Sequence, residues 1–107
     1  MITCIIRYKI DPYKHAAFEE YARNWGRVIP RCGADLIGYF SPHEGATTTA
    51  YGIYSMADLA AYEAYRARIK DDPLGRENFA LSQREQFIRR EDRQFFRLAS
   101  ASQSKVG

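Results

Sequence analysis

The stretch Gly38-Tyr39-Phe40-Ser41-Pro42-His43-Glu44-Gly45 sets one of only two histidines beside a carboxylate, between glycines. A histidine steered by a glutamate can work as a general base, but it must also meet a substrate within hydrogen-bond reach. Neighbours on an extended chain point to opposite sides, so adjacency alone builds no dyad. Pro42 and Gly45 are what a short hairpin loop would use in any case. His43 is therefore read as a loop residue able to reach the rim of a pocket. His15 falls in the first turns of a helical stretch, opposite its apolar stripe, and is expected in solvent. The two histidines have no third ligand at metal-site spacing, so no metal is called for. No catalytic residue is assigned, and nothing in the pattern demands a cofactor.

The other residues able to do chemistry are phenols. The chain holds eight tyrosines against one tryptophan. Tyr8, Tyr39, Tyr51 and Tyr54 all fall on expected strands, and some must face an uncovered side. With Trp25, Arg66 and Arg68 they could form a pocket that stacks and anchors a flat or anionic small molecule. Tyrosine is equally at home filling a subunit interface. Cys4 and Cys32 lack a second pair for zinc. Cys4 lies in an apolar run, so both are read as reduced structural thiols.

The net charge of +3 is mild, and its excess lies between Arg66 and Arg97 with acids interspersed, a pattern of solvated ion pairs. RNA-recognition modules place a basic-Gly-aromatic-Gly-aromatic run on the third strand. Thr49-Ala50-Tyr51-Gly52-Ile53-Tyr54 matches it only in part, which leaves RNA binding the weakest of the readings. No apolar run reaches the length of a signal peptide or membrane span, so no membrane is expected and a cytoplasmic protein is.

These residues need elements to position them. Ile2 to Ile10 alternates apolar residues at period two, a strand, with Ile5 on the side opposite Ile6 and Tyr8. Asp11-Pro12 is read as N-cap and first position of a helix over Pro12 to Arg31, whose stripe includes Phe18, Tyr21, Trp25, Val28 and Ile29. Gly33 ends it as a left-handed cap. Ala34 to Ser41 and Thr47 to Tyr54 form an antiparallel hairpin pair. Ser55 to Asp58 reads as a capping box before a helix over Met56 to Lys70. Asp72-Pro73 opens a short third helix to about Gln83, and Arg89 to Leu98 is the last strand. The order β-α-β-β-α-(α)-β is the α+β, ferredoxin-like split βαβ arrangement: a four-stranded antiparallel sheet with two main helices and a short third one. One domain over residues 1–98 is expected, with a polar, flexible tail over 99–107. One sheet face would be bare yet apolar, the mark of an interface or a ligand surface.

Tyr8-Lys9-Ile10-Asp11-Pro12, Leu36-Ile37-Gly38-Tyr39-Phe40 followed by Gly45, and Asp58 to Arg66 followed by Asp72-Pro73 together carry a resemblance. In their order and spacing the chain resembles the NIPSNAP-like proteins of the dimeric α/β barrel superfamily. The resemblance implies a homodimer through the bare sheet faces, with a small aromatic-lined cavity in each half, and an unassigned biochemical activity. The superfamily also includes cofactor-independent monooxygenases and isomerases. They make action on a small aromatic or enolisable compound the alternative, with the tyrosines, Arg66 and His43 orienting the substrate. Haem-degrading members use a histidine on the later helices; Met56 to Gln83 contains none. The resemblance also leads to an arginine where this chain has Ile6, a Trp-x-Tyr pattern where it has Tyr54-Ser55-Met56, and an arginine where it has Tyr62. These departures imply a ligand of its own.

Overall fold

The structure is a computed structural model and describes residues 1–99; the tail expected beyond that point lies outside the described residues. Seven elements follow in the order β1 (Ile2–Ile10), α1 (His15–Arg31), β2 (Asp35–Phe40), β3 (Thr49–Met56), α2 (Leu59–Asp71), α3 (Pro73–Glu85) and β4 (Ile88–Phe96). The strands form one antiparallel sheet in the order β2-β3-β1-β4. This is the ferredoxin-like arrangement expected from the pattern.

The period-two alternation of β1 divides the sheet into two faces. Cys4, Ile6, Tyr8 and Ile10 are buried beneath the helices, while Arg7 and Lys9 on the other parity are exposed. The stripe of α1 delivers Phe18, Tyr21, Trp25, Val28 and Ile29 into the same core. Phe18 packs edge-on against Tyr8 at 5.6 Å and against Phe87 at 6.3 Å. Aromatic burial of this kind contributes roughly 1.5–3 kcal/mol per side chain. Ile5 and Ile53, Cα partners, lie on the uncovered face with Tyr51, Phe40 and Phe96.

Several boundaries depart from expectation for identifiable reasons. The first helix starts at His15, not Pro12, because Asp11 closes a turn of its own: its Oδ1 accepts from Tyr13 N at 2.9 Å and its backbone oxygen from Lys14 N at 3.0 Å. The Asp11 side chain thus closes an Asx turn one step before the helix, and α1 begins after Lys14 with no side-chain cap. Ser55 and Met56 belong to β3 and not to a capping box. The Ser55 hydroxyl is engaged with Thr3 Oγ1 at 2.8 Å, and Asp58 alone caps α2, accepting from Ala61 N at 2.8 Å. The third helix is as long as the second, at 13 residues each. Asp72 caps it through Gly75 N, and left-handed Gln86 ends it. Gly33, at φ +103°, closes α1 as expected. His15 is half-buried, not solvated, since its Nε2 meets Thr47 O at 2.8 Å and ties α1 to the loop before β3.

Candidate functional site

The covered sheet face holds a cavity of about 340 Å³ between strands and helices. Its floor follows from register. Tyr8 and Ile6 come from β1, Tyr54 from β3, Tyr39 from β2, and Glu91 and Arg93 from β4. Arg93 is the Cα partner of Ile6, and Glu91 that of Tyr8, so both charged side chains point to the helical side. The roof follows from helical spacing. Tyr21 and Trp25 lie one turn apart on α1, and Tyr65, Arg66 and Ile69 share a face of α2, with Phe79 contributed by α3.

The floor needs a glycine at position 52. Tyr39 stands opposite Gly52 across the β2–β3 pair, and its ring passes over that glycine. A Cβ there would come within 2.7 Å of Tyr39 Cζ. The bare backbone lets the Tyr39 phenol cross β3 and meet the Tyr8 hydroxyl on β1 at 3.1 Å. Burial drives both phenols well above their ordinary pKa and pushes Tyr21 up to about 12; it also raises Tyr54 and Tyr65. Removing a charged form from water disfavours it, so all five remain protonated hydrogen-bond donors near neutral pH. Arg93 pairs with Glu91 at 2.9 Å. Arg66 gives a hydrogen bond to the Tyr62 hydroxyl at 3.1 Å, its guanidinium 5.7 Å from that ring's centre. Trp25 Nε1 is buried without a hydrogen-bond partner. The walls are rings in contact: Tyr54 with Tyr65 at 5.3 Å, and Trp25 with Phe79 at 5.3 Å.

Of the residues singled out from the sequence, Tyr8, Tyr39, Tyr54, Trp25 and Arg66 come together around this cavity. Tyr51 does not: it is on the opposite face of the sheet, paired with Arg7 and 37% exposed. His43 is exposed on the β2–β3 loop and is not part of the lining. Tyr21 was legible only as helix stripe. Tyr65 and Arg66 share a stripe with Tyr62 and Ile69 at three- and four-residue spacing, a signal present in the sequence. Glu91 and Arg93 had no such signal, because a strand with charged residues on both parities does not disclose its register. The guanidinium missing at position 6 is nonetheless present: Arg7 faces the bare side, and Arg93 brings its charge to the cavity beside Ile6. Among the described residues no group of three or more His, Cys, Asp or Glu side chains is placed to hold a metal ion. No helix among them is long and apolar enough to cross a membrane.

The family model described as NIPSNAP matches residues 3–103. Among solved structures, a NIPSNAP family protein of Agrobacterium tumefaciens described as having unknown function superposes with a TM-score of 0.80 at 19% identity, covering 95% of this chain and 91% of that one. An uncharacterized NIPSNAP domain protein of Burkholderia xenovorans gives 0.76 at 20% identity, covering 97% and 100%. A Nitrosomonas europaea protein proposed to be an antibiotic biosynthesis monooxygenase gives 0.71 at 13% identity, covering 94% and 100%. At these identities the likeness is one of fold. No curated protein matches the chain.

Proposed function

Because the chain belongs to the NIPSNAP family, whose members above carry no stated activity, we propose that it is a homodimeric protein that binds a small flat molecule in the phenol-lined cavity. The observation that carries this reading is the cavity itself: a half-open space of about 340 Å³ lined mainly by aromatic rings, with phenol hydroxyls and two guanidinium groups among its lining. Binding sites of this size are mostly apolar walls with a few placed polar groups. Tyr8, Tyr39, Tyr54, Trp25 and Arg66 line it, and Tyr21, Tyr65 and Arg93 complete it.

The dimer rests on the other face. Phe40 and Phe96 are 50% and 44% exposed there, beside Tyr51 and the Ile5–Ile53 pair. A face of that composition on so small a domain is best accounted for by a second copy. Tyr51 then belongs to the interface, and His43 to a loop near it. Light scattering tests the assembly: the mass at micromolar concentration should be twice 12.3 kDa, and a monomeric mass sinks the dimer. A screen of small aromatic compounds, followed by amide and side-chain NMR shifts, tests the ligand. Shifts confined to residues outside the cavity defeat that part.

The second reading, a cofactor-independent monooxygenase or isomerase, is favoured by one feature. The neutral Tyr8–Tyr39 hydroxyl pair would stabilise a developing enolate oxygen. Turnover of an enolisable compound that survives Tyr39→Phe unchanged removes the basis for it.

A further inference from the structure

The polar groups around the cavity are unbalanced in what they give and take. Trp25 and the two arginines can only donate. The phenols stay protonated, so each has a proton to give. Tyr8 and Tyr39 spend one proton on each other across 3.1 Å, which leaves the second for another acceptor. The lining has a single carboxylate, Glu91, and Arg93 already holds it at 2.9 Å. Trp25 Nε1 is fully buried, with the Tyr21 hydroxyl as its neighbour, so Trp25 offers the cavity its ring. The walls, by contrast, are flat rings: Tyr54 against Tyr65 on one side, Trp25 against Phe79 on another.

A ligand that fits this set is flat, and it supplies acceptor oxygens, not donors. Resting on the cavity reading above, we infer that the site selects planar aromatic acids, the ring held between the aromatic walls, the carboxylate accepting from the Tyr8–Tyr39 hydroxyl pair, and Arg93 serving as counter-ion. An aromatic cation is disfavoured because its charge would face Arg66 and Arg93, with the lining carboxylate Glu91 already paired. A bare hydrocarbon gains the walls and leaves the donors unmet. Arg93 is thereby a specificity-determining residue.

Three probes of one shape separate the terms: 2-naphthoate, naphthalene and 2-naphthylmethylammonium. Binding is measured by calorimetry and by the indole N–H resonance, of which the chain has one because it has one tryptophan. The expected order is naphthoate, then naphthalene, then the ammonium, with naphthoate ahead of naphthalene by about tenfold or more. Naphthoate should move the Trp25 indole resonance. Tyr39→Phe and Arg93→Gln should each cut naphthoate affinity by about tenfold while leaving naphthalene binding in place, which shows that the variants remain folded. Equal binding of all three probes, or the ammonium binding best, overturns the inference and leaves the ligand cavity standing. If none of the three binds, the inference and the cavity reading fall together.

Discussion

The two faces of one sheet are built from the same four strands, often from adjacent residues of one strand, and they have opposite fates. On β1, Cys4, Ile6, Tyr8 and Ile10 are buried under α1, α2 and α3, while Ile5 and Arg7 between them look outward. On β3, Tyr54 lines the cavity and Tyr51 stands exposed on the far side. Composition does not distinguish them, for both faces carry tyrosine and isoleucine. What differs is enclosure. On the covered face, rings meet rings and phenols lose water, so their hydroxyls must find partners or a ligand. On the bare face the rings keep water. A tyrosine's role in this fold is therefore set by its parity on the strand.

The most direct way to break that comparison is to remove one ring from each face. Phe18 is fully buried against Tyr8, Tyr39 and Phe87. Phe18→Ala is expected to cost about 3–5 kcal/mol in urea denaturation. Phe96→Ala, on the exposed face, should cost less than about 1 kcal/mol once the protein is dilute enough to be monomeric. Equal losses would mean that the faces do not differ in packing. The next largest effect belongs to assembly. Ile53→Glu places a charge between Ile5 and Gly38, and two-fold symmetry presents it twice across the proposed interface. The light-scattering mass should fall to that of one chain, with the helical circular dichroism unchanged. A mass still twice 12.3 kDa would locate the interface elsewhere.

How much of this was legible in the sequence follows the same division. Period-two alternation in β1 and the stripe of α1 gave the covered core residue by residue, because each pattern is a local consequence of strand and helix geometry. The order of elements was legible for the same reason. Local competition was not: Asp11 bonds into its own turn and Ser55 bonds across to Thr3, and in each case a side chain that suits a cap was taken by another partner. The site was half legible. Tyr8, Tyr39, Tyr54, Trp25 and Arg66 share a type and a placement on elements that a pocket would use. Tyr51 stands three residues before Tyr54, so parity sets the two on opposite faces, but which of them lies under the helices depends on the pairing of β3 with β1. Arg93 and Glu91 escaped because their direction depends on the β1–β4 register, which is a long-range pairing.

Gly52 sharpens the comparison at one atom. Gly52→Ala would bring a methyl within 2.7 Å of the Tyr39 ring, a close approach to a side chain packed against Tyr8 and Phe18. The expected cost is about 1–3 kcal/mol, from overpacking. It should come with loss of the Tyr8–Tyr39 hydrogen bond, read as weakened 2-naphthoate binding. Stability and binding both unchanged would show that the phenol pair does not depend on the bare backbone beneath it.

The smallest effect concerns what keeps one face covered. Arg31, at the end of α1, donates to both oxygens of Asp72 at 2.8 Å, and Asp72 also caps α3 through Gly75 N at 3.0 Å. One carboxylate thus fastens the helix that lies over the sheet to the helix that closes the cavity's end. The Arg31 guanidinium holds that carboxyl at about 2, below its usual 3.8. A lowered folded-state pKa means that the stabilisation is complete above the unfolded value, near pH 4, and is lost as the pH falls toward 2. Asp72→Asn keeps an N-cap side chain but removes the charge, so it isolates the ion pair. At pH 7 the variant should be slightly less stable, since Arg31 is half exposed and water screens the pair from its side. The gap between the two proteins should narrow below pH 4 and close near pH 2. A gap that stays constant across that range would assign the stabilisation to the cap and not to the pair, and the covering layer would then be held by its buried rings alone.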